Sequence, residues 1–211
     1  MKLSQKGAIV LAGGASSRMG QPKTLLKLGG VTLVERVVRL LQPHFHHVTL
    51  VTNDDHVFGH LPVAIVRDRL TGGAKNPLRG IHAGLMATGL PYQFVVACDM
   101  PFLNLDFINF MGRYAADYDV VVPRTDSYYQ PLHAYYSRSC LKVMERQILS
   151  RNFKVTGFYD RLNVKTIGLK EIRRFDPHQD SFFNINTWDD YKHAGKKLAA
   201  LTLDPAKDIK G

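Results

Sequence analysis

The chain has 211 residues, a length that suits one globular domain. Its hydrophobic content of 45% can supply a sizeable core, and its charged content of 22% argues against a disordered or fibrous chain. The net charge of +10 favours anionic ligands such as nucleotides, phosphorylated metabolites and nucleic acids, although a solvated basic surface without a partner is the alternative.

The residue pattern argues against nucleic acid and membranes as partners. Basic residues are scattered along the chain, and the sequence contains neither a recognition-helix signature nor an aromatic RNA-binding motif. No apolar stretch approaches the roughly 18 residues of a membrane span, and the one near the N-terminus is too short for a signal peptide. Cys98 and Cys140 have no metal-ligand spacing and form no disulfide framework. We therefore expect a cytoplasmic protein.

The first half of the sequence predicts strands that alternate with helices. A continuous apolar run, typical of a strand buried on both faces of a parallel sheet, occupies 8–12, and further strands are predicted at 48–52, 63–67 and 94–98. A capping box of Thr32 and Glu35 begins a helix whose apolar residues recur at helical spacing until Pro43. A second helix is predicted over 77–88, with Pro77 in its first turn.

The second half predicts an antiparallel addition to this sheet. The predicted strands lie at 119–123, 131–136 and 164–168, and the predicted helices at 104–116, 138–149, 155–161 and 187–201. This order indicates an α/β fold, a Rossmann-like three-layer sandwich with a mostly parallel mixed sheet. We expect a single domain over 1–201 and a flexible C-terminal tail over 202–211.

The segment LAGGASSRMGQPK at 11–23 lies beyond the first predicted strand, where open α/β sheets bind their ligands. Gly13 and Gly14 allow close approach of a backbone whose successive N–H groups can form an anion-binding concavity. Arg18 and Lys23 add cations that suit phosphate. The string is neither a Walker loop nor a dinucleotide fingerprint, and its glycine pair alone could equally form a tight turn.

Asp99 follows the apolar run FVVAC and therefore emerges at the same edge of the sheet as the glycine loop. Mg²⁺ prefers oxygen ligands and is usually held by one or two carboxylates together with substrate phosphates. Asp99 is thus a candidate magnesium ligand, and the alternative is a carboxylate that caps the next turn. Cys98 beside it fits a small core residue better than a nucleophile.

Four motifs, in this order along the chain, carry a family resemblance that extends from residue 8 to about residue 194. The glycine loop, ACDMPFL at 97–103, QPLHAYY at 130–136 and FFNINTWDDY at 182–191 resemble landmarks of the nucleotidyltransferases of the molybdenum cofactor guanylyltransferase (MobA) type. The resemblance implies the nucleotidyltransferase fold. It also implies transfer of GMP from GTP to the phosphate of molybdenum-bound molybdopterin, with release of pyrophosphate. Mg²⁺ is the implied cofactor, and other proteins of molybdenum cofactor biosynthesis are implied partners.

The same resemblance implies roles for individual residues. Lys23, Arg18 and Asp99 would be catalytic, and Asp99 would also bind the metal ion. The implied nucleotide-binding residues are Leu11, Ala12, Gly13, Gly14, Lys23, Asn53, Asp68 and Asp99, and those implied on the acceptor side are Gly80, Asn184 and Asn186. Structural explanations compete for some of them: a turn for Asn53, an ion pair with Arg67 or Arg69 for Asp68, and helix-start chemistry for the two acceptor-side asparagines.

The implied reaction needs no covalent enzyme intermediate and no general base. A phosphate oxygen of the acceptor, already largely ionised at neutral pH, attacks the α-phosphorus of the nucleotide in line. Lys23, Arg18 and the loop amides would neutralise the triphosphate. Gly13 favours GTP, because cytidylyl relatives more often carry alanine at this place.

Several alternatives stay open at this point. The string NPLRG at 76–80 departs from the family's Gly-Pro-Leu-Ala-Gly, since Asn76 and Arg79 replace small residues, and this leaves the details of acceptor recognition open. The same scaffold could serve a nucleotidyltransferase that uses CTP or a sugar phosphate acceptor, or a nucleotide-binding protein without turnover. An RNA-associated basic protein is a further interpretation. We interpret Trp188 as a packing residue and HFHH at 44–47 as a solvated loop.

Overall fold

A computed structural model describes residues 6–13, 19–20, 22–67, 76–126 and 128–203 of the chain. The strands, numbered in chain order, are β1 (Lys6–Leu11), β2 (Lys27–Leu28), β3 (Val31–Thr32), β4 (His47–Val51), β5 (Ala64–Val66), β6 (Tyr92–Ala97), β7 (Val120–Thr125), β8 (Tyr128–Tyr129), β9 (His133–Ser137) and β10 (Val164–Ile167). The helices are α1 (Leu33–Leu41), α2 (Asp55–Phe58), α3 (Pro77–Thr88), α4 (Leu105–Gly112), α5 (Leu141–Leu149), α6 (Leu169–Phe175) and α7 (Trp188–Leu203).

The main sheet has the strand order β10-β7-β9-β6-β1-β4-β5, and β8 pairs with β7 outside this path. β1 lies between β4 and β6 and is parallel to both, and β4 is also parallel to β5. β9 runs antiparallel to β6 and β7, whereas β10 is parallel to β7. The predicted mostly parallel mixed sheet, with its antiparallel addition in the second half, is confirmed.

Helices cover both faces of the sheet because alternate residues of the buried strands face opposite ways. Ala8 and Val10 of β1 belong to a core cluster that includes residues of α1, α4 and α6. Ile9 and Leu11 belong to a second cluster, which includes residues of α3 and α5. The predicted three-layer sandwich is therefore confirmed.

Helix α3 packs very close to β1, and its glycines make this approach possible. A Cβ atom built on Gly84 would lie 2.7 Å from Ile9 Cδ1, and one on Gly80 would lie 3.1 Å from Leu11 Cδ2. Asn76 caps the helix, since its side-chain Oδ1 accepts a hydrogen bond from the Arg79 N–H at 3.1 Å. The N-terminus of α3 is thereby placed beside the carboxyl end of β1.

A third, smaller core cluster joins the β2–β3 hairpin to α7. It contains the buried residues Met19, Leu26, Leu28, Leu33, Phe102, Ile185 and Ala194. Because Leu26 and Ile185 share this cluster, the turn that carries Lys23 is packed beside the segment that carries Asn184 and Asn186.

Three expectations about the extent of helices are wrong. The segment 155–161 forms only a short 3₁₀ turn, Tyr159–Arg161, because Phe158 and Tyr159 are drawn into the α5 side of the core instead of following a helical face. The helix predicted over 104–116 already ends at Gly112, and α7 continues through Leu203, beyond the boundary predicted for the tail. No helix in the described ranges is both long enough and apolar enough to cross a bilayer.

Candidate active site

A cavity of about 330 Å³ opens at the edge of the sheet where β1, β4 and β6 end. Its lining comes from these strand ends, from the first turn of α3 and from the segment before α7. The lining residues are Leu11, Gly13, Lys23, Thr24, Val51, Thr52, Asn53, Asn76, Pro77, Gly80, Ala97, Cys98, Asp99, Leu132, Asn184 and Asn186.

Backbone hydrogen bonds continue past the strand ends and fix the floor of this cavity. The Ala12 N–H donates to Val51 O at 2.9 Å, and the Cys98 N–H donates to Leu11 O at 3.1 Å. The residues that follow, Gly13 and Asp99, therefore leave the sheet side by side, and Asn53 leaves it from the neighbouring strand β4.

Lys23 reaches across the cavity mouth from a 3₁₀ turn, Lys23–Leu25. Its Nζ donates a hydrogen bond to Asn186 Oδ1 at 2.6 Å and lies 3.5 Å from Asp99 Oδ2. The side chains of Lys23 and Asp99 are each only 20% exposed, so their charges interact under reduced screening by solvent. One lysine, one carboxylate and one amide, far apart in sequence, thus meet at one point.

The carboxyl group of Asp99 is in an unfavourable environment for a charge. Burial raises its pKa, and the attraction of Lys23 offsets only part of this effect. Its Oδ1 is buried and has no hydrogen-bond partner within the described ranges. A buried carboxylate oxygen that faces a cavity and has no hydrogen-bond partner can bind a cation or a hydrogen-bond donor of a ligand.

Burial also raises the pKa of the neighbouring Cys98 thiol far above its ordinary value, with the Asp99 charge as a smaller contribution. A thiol that stays protonated is a poor nucleophile. The interpretation of Cys98 as a small buried residue is therefore confirmed, although it also borders the cavity.

The segment with Asn184 and Asn186 is held in place from two sides. The Ile185 N–H donates to the Asp99 backbone oxygen at 3.0 Å, which ties this segment to the end of β6. Asp190 Oδ2 accepts from the N–H groups of Asn186 at 3.0 Å and Thr187 at 2.8 Å. Although partial burial acts in the opposite direction, these hydrogen bonds lower the pKa of Asp190 and keep it ionised.

The two unusual residues in NPLRG, Asn76 and Arg79, lie in different parts of the structure. Asn76 and Gly80 line the cavity, whereas the buried Arg79 guanidinium lies 5.1 Å from the ring centre of Phe153, on the α5 side of the sheet. Asn76 is therefore the substitution in this string that can contact a ligand in the cavity. The N-terminus of a 12-residue helix at this place also favours a negatively charged group.

Most of the site residues predicted from the sequence line the cavity. Leu11, Gly13, Lys23, Asn53, Gly80, Asp99, Asn184 and Asn186 all line the cavity. Ala12 is buried in the core and is not among the lining residues. Gly14, Arg18 and Asp68 lie outside the described residues. Arg67, considered as a partner of Asp68, makes two contacts of 2.6 Å with the carboxylate of Asp55.

Half of the lining residues were not assigned to the site from the sequence, among them Thr24, Thr52 and Leu132. Thr24 follows Lys23 directly, and its position next to the glycine-loop motif was a usable signal. Leu132 lies within QPLHAYY, but a single leucine there resembles any core residue. Thr52 becomes visible as a lining residue only once the neighbouring strand ends are known.

Comparison with known proteins agrees with this geometry. Residues 8–162 match the family model described as MobA-like NTP transferase domain. A protein of Natranaerobius thermophilus named probable molybdenum cofactor guanylyltransferase is 35% identical over 90% of this chain and 95% of its own. A Desulfosudis oleivorans protein named molybdenum cofactor guanylyltransferase is 36% identical over 91% and 95% of the two chains.

A solved structure is similar over the same extent. The crystal structure of molybdopterin-guanine dinucleotide biosynthesis protein A from Archaeoglobus fulgidus superimposes with a TM-score of 0.82 at 32% identity, covering 92% of this chain and 99% of that one. Fold and sequence together define a nucleotidyltransferase. The chain belongs to the family of MobA-like NTP transferase domains.

Proposed function

We propose that the protein transfers GMP from GTP to the terminal phosphate of molybdenum-bound molybdopterin and releases pyrophosphate. The observation that carries the proposal is the meeting of Lys23, Asp99 and Asn186 in the cavity, with one Asp99 oxygen unpartnered among the described residues. The names of the similar proteins supply the acceptor and the nucleotide, which the cavity alone does not define.

The nucleotide would occupy the side of the cavity formed by β1 and β4. The guanosine would lie against Leu11, Gly13 and Asn53, and the triphosphate would extend toward Lys23 and the N-terminus of α3. Arg18 and the amides of the glycine loop would add further positive charge to the phosphates. By the family resemblance, Asp68 would also contact the nucleotide.

Gly13 supports the preference for guanine. It does not adopt a left-handed conformation, and a Cβ atom built on it meets no described atom within 4 Å. Neither the backbone conformation nor packing against the described residues therefore requires glycine at this position. Because Gly13 borders the cavity, the absent side chain leaves room for a ligand, and we propose that this room accepts the guanine base.

The residues present fit a magnesium ion that arrives together with the nucleotide. Asp99 Oδ1 is a hard oxygen ligand without a partner, and the described ranges contain no group of three or more His, Cys, Asp or Glu residues that could form a complete cage. Such a site suits Mg²⁺, which commonly combines one or two carboxylates with phosphate oxygens and water. When bound to Asp99, Mg²⁺ would neutralise phosphate charge during the transfer.

The chain's own residues would act by positioning and charge. An acceptor phosphate oxygen forms a bond to the α-phosphorus of GTP as the bond from this phosphorus to the bridging oxygen breaks, and pyrophosphate leaves with those electrons. Lys23 would stabilise the negative charge that spreads over the phosphate oxygens. Asn186, whose Oδ1 accepts from Lys23, would hold this lysine in place while Asn184 and Asn186 face the acceptor.

The proposal is tested with GTP labelled at the α-phosphate. Incubation with Mg²⁺ and molybdenum-bound molybdopterin should transfer the label to the acceptor and release unlabelled pyrophosphate, whereas labelled CTP should transfer much less. Asp99→Ala should abolish transfer and retain the thermal unfolding transition. Asp106→Ala, in the first turn of α4 and outside the cavity lining, serves as the matched control with normal transfer. An Asp99→Ala variant that turns over normally, or a wild-type protein that prefers CTP, would contradict the proposal.

A further inference from the structure

Two large apolar side chains are exposed beside the cavity. Trp188 is 43% exposed and Leu25 is 41% exposed. Trp188 is also the single tryptophan of the chain. Trp188, interpreted from the sequence as a packing residue, does pack against Tyr191, but almost half of its surface remains in contact with solvent.

Leu25 and Trp188 belong to two segments, 23–25 and 186–188, that each begin at a residue lining the cavity, and we call these two segments together the lip of the cavity. Leu25 lies two residues after Lys23 in the same 3₁₀ turn, and Trp188 lies two residues after Asn186. The hydrogen bond of 2.6 Å between Lys23 and Asn186 joins the two segments at this point. Two residues span at most about 7 Å of chain, so each apolar residue lies within about 7 Å, along the backbone, of a residue in this hydrogen bond.

The indole ring of Trp188 makes an edge contact with the ring of Tyr191. Its ring centre lies 5.6 Å from that of Tyr191, at an interplanar angle of 89°. Tyr191 in turn donates a hydrogen bond from its hydroxyl to the backbone oxygen of Lys27, two residues after Leu25, and it packs against the third core cluster. An edge contact of this kind fixes the orientation of a ring and covers little of its area.

We propose that Trp188, with Leu25 beside it, provides the surface on which the planar pterin ring of the acceptor stacks. This inference rests on the proposed function. The acceptor phosphate would lie among Asn184, Asn186 and Lys23 inside the cavity, and the ring would extend outward over the lip. The guanine base of GTP is assigned to the opposite side, against Leu11 and Gly13, so the two rings do not compete for one place.

The single tryptophan makes the contact directly measurable by fluorescence. Under anaerobic conditions, metal-free molybdopterin should quench the emission of Trp188 in a saturable manner after correction for absorbed light, and it should protect the indole from iodide. Inorganic phosphate and GTP, which lack the pterin, should produce no such quenching. Absence of saturable quenching by molybdopterin would overturn the inference.

Kinetics of variants provide the second test. Trp188→Ala should raise the KM for molybdenum-bound molybdopterin by about tenfold, the size expected for loss of one ring-stacking contact. It should leave the KM for GTP unchanged, and Trp188→Phe should restore most of the loss. Leu149→Ala, at an 83% exposed leucine on α5, is the control with wild-type constants.

The outcomes separate the two proposals. Wild-type protein that forms no guanine dinucleotide refutes the proposed function. Wild-type protein that forms it, together with a Trp188→Ala variant whose acceptor KM is unchanged, refutes the stacking surface alone. Thermal unfolding of each variant identifies a loss that comes from misfolding, and in that event Trp188→Phe and the fluorescence titration decide.

Discussion

Replacement of Lys23 by methionine removes one positive charge from the cavity and keeps a side chain of similar length. In the structure this charge lies 3.5 Å from Asp99 Oδ2, and we expect a bound phosphate oxygen to take up a similar distance. Two unit charges at this separation interact by about 5 kcal/mol at an effective dielectric constant of about 20, and by about 1 kcal/mol in bulk water.

The expected loss lies between these limits. A hydrogen bond to a charged group is worth about 1.5–3 kcal/mol, and a factor of ten corresponds to about 1.4 kcal/mol, so kcat/KM for GTP should fall by about 10- to 150-fold. High salt should reduce this loss of kcat/KM only slightly, because Lys23 is only 20% exposed and its charge is poorly screened by ions.

The assay combines calorimetric titration of GTP in the presence of Mg²⁺ with steady-state transfer rates. Lys192→Met is the matched control: it removes the same charge from α7, where Lys192 is 72% exposed and lies 3.6 Å from Asp189. It should bind GTP and react as the wild type does. A Lys23→Met variant that binds GTP with unchanged affinity and reacts at the normal rate would refute the assignment of this lysine to the phosphates.

Four further predictions concern stability and selectivity. Gly13→Ala should unfold at the wild-type temperature yet lose preference for GTP over CTP in transfer assays, whereas Gly84→Ala, with its Cβ 2.7 Å from Ile9, should cost about 1–3 kcal/mol in urea unfolding. Burial lowers the pKa of His133 to about 3. Between pH 6.5 and about 3, His133 is therefore protonated in the unfolded chain but neutral in the folded chain. Acid should therefore destabilise the wild type by about 1.4 kcal/mol per pH unit more than it destabilises His133→Leu around pH 5; parallel curves would contradict this. Burial raises the pKa of Asp99, so its ionisation destabilises the folded protein as the pH rises through this raised pKa. Asp99→Asn should therefore be inactive and more stable than the wild type at neutral pH; a less stable Asp99→Asn would show that the attraction of Lys23 outweighs the cost of burying the charge.

The parts of the fold that could be predicted from sequence are those in which local pattern and tertiary packing agree. The helix over 77–88 has the predicted bounds, since Pro77 at its start and the left-handed Gly89 after its end are local signals. The capping box of Thr32 and Glu35 is present with both hydrogen bonds. The edge of the sheet on which Gly13 and Asp99 meet follows from parallel strand topology alone.

Other features depend on contacts that no local pattern encodes. The hydrogen bond between Lys23 and Asn186 joins residues 163 positions apart, and it depends on the third core cluster, which packs Leu26 against Ile185. Helix α6 was not among the predicted helices, because its sequence LKEIRRF is rich in charged residues and contains only one residue, Ile172, that the fold buries fully. The exposure of Trp188 could not be predicted, since a tryptophan at a helix start is typical of packing as well as of binding.

The central inference is that one cavity holds the triphosphate of GTP between Lys23 and Asp99. A crystal structure of the protein soaked with GTP and Mg²⁺ tests it most directly. We predict phosphate oxygens within hydrogen-bond distance of Lys23 Nζ, a metal ion on Asp99 Oδ1 and guanine against residues 11–13. Nucleotide density at another place on the protein, with no phosphate near Lys23 Nζ and no metal ion on Asp99, would contradict it.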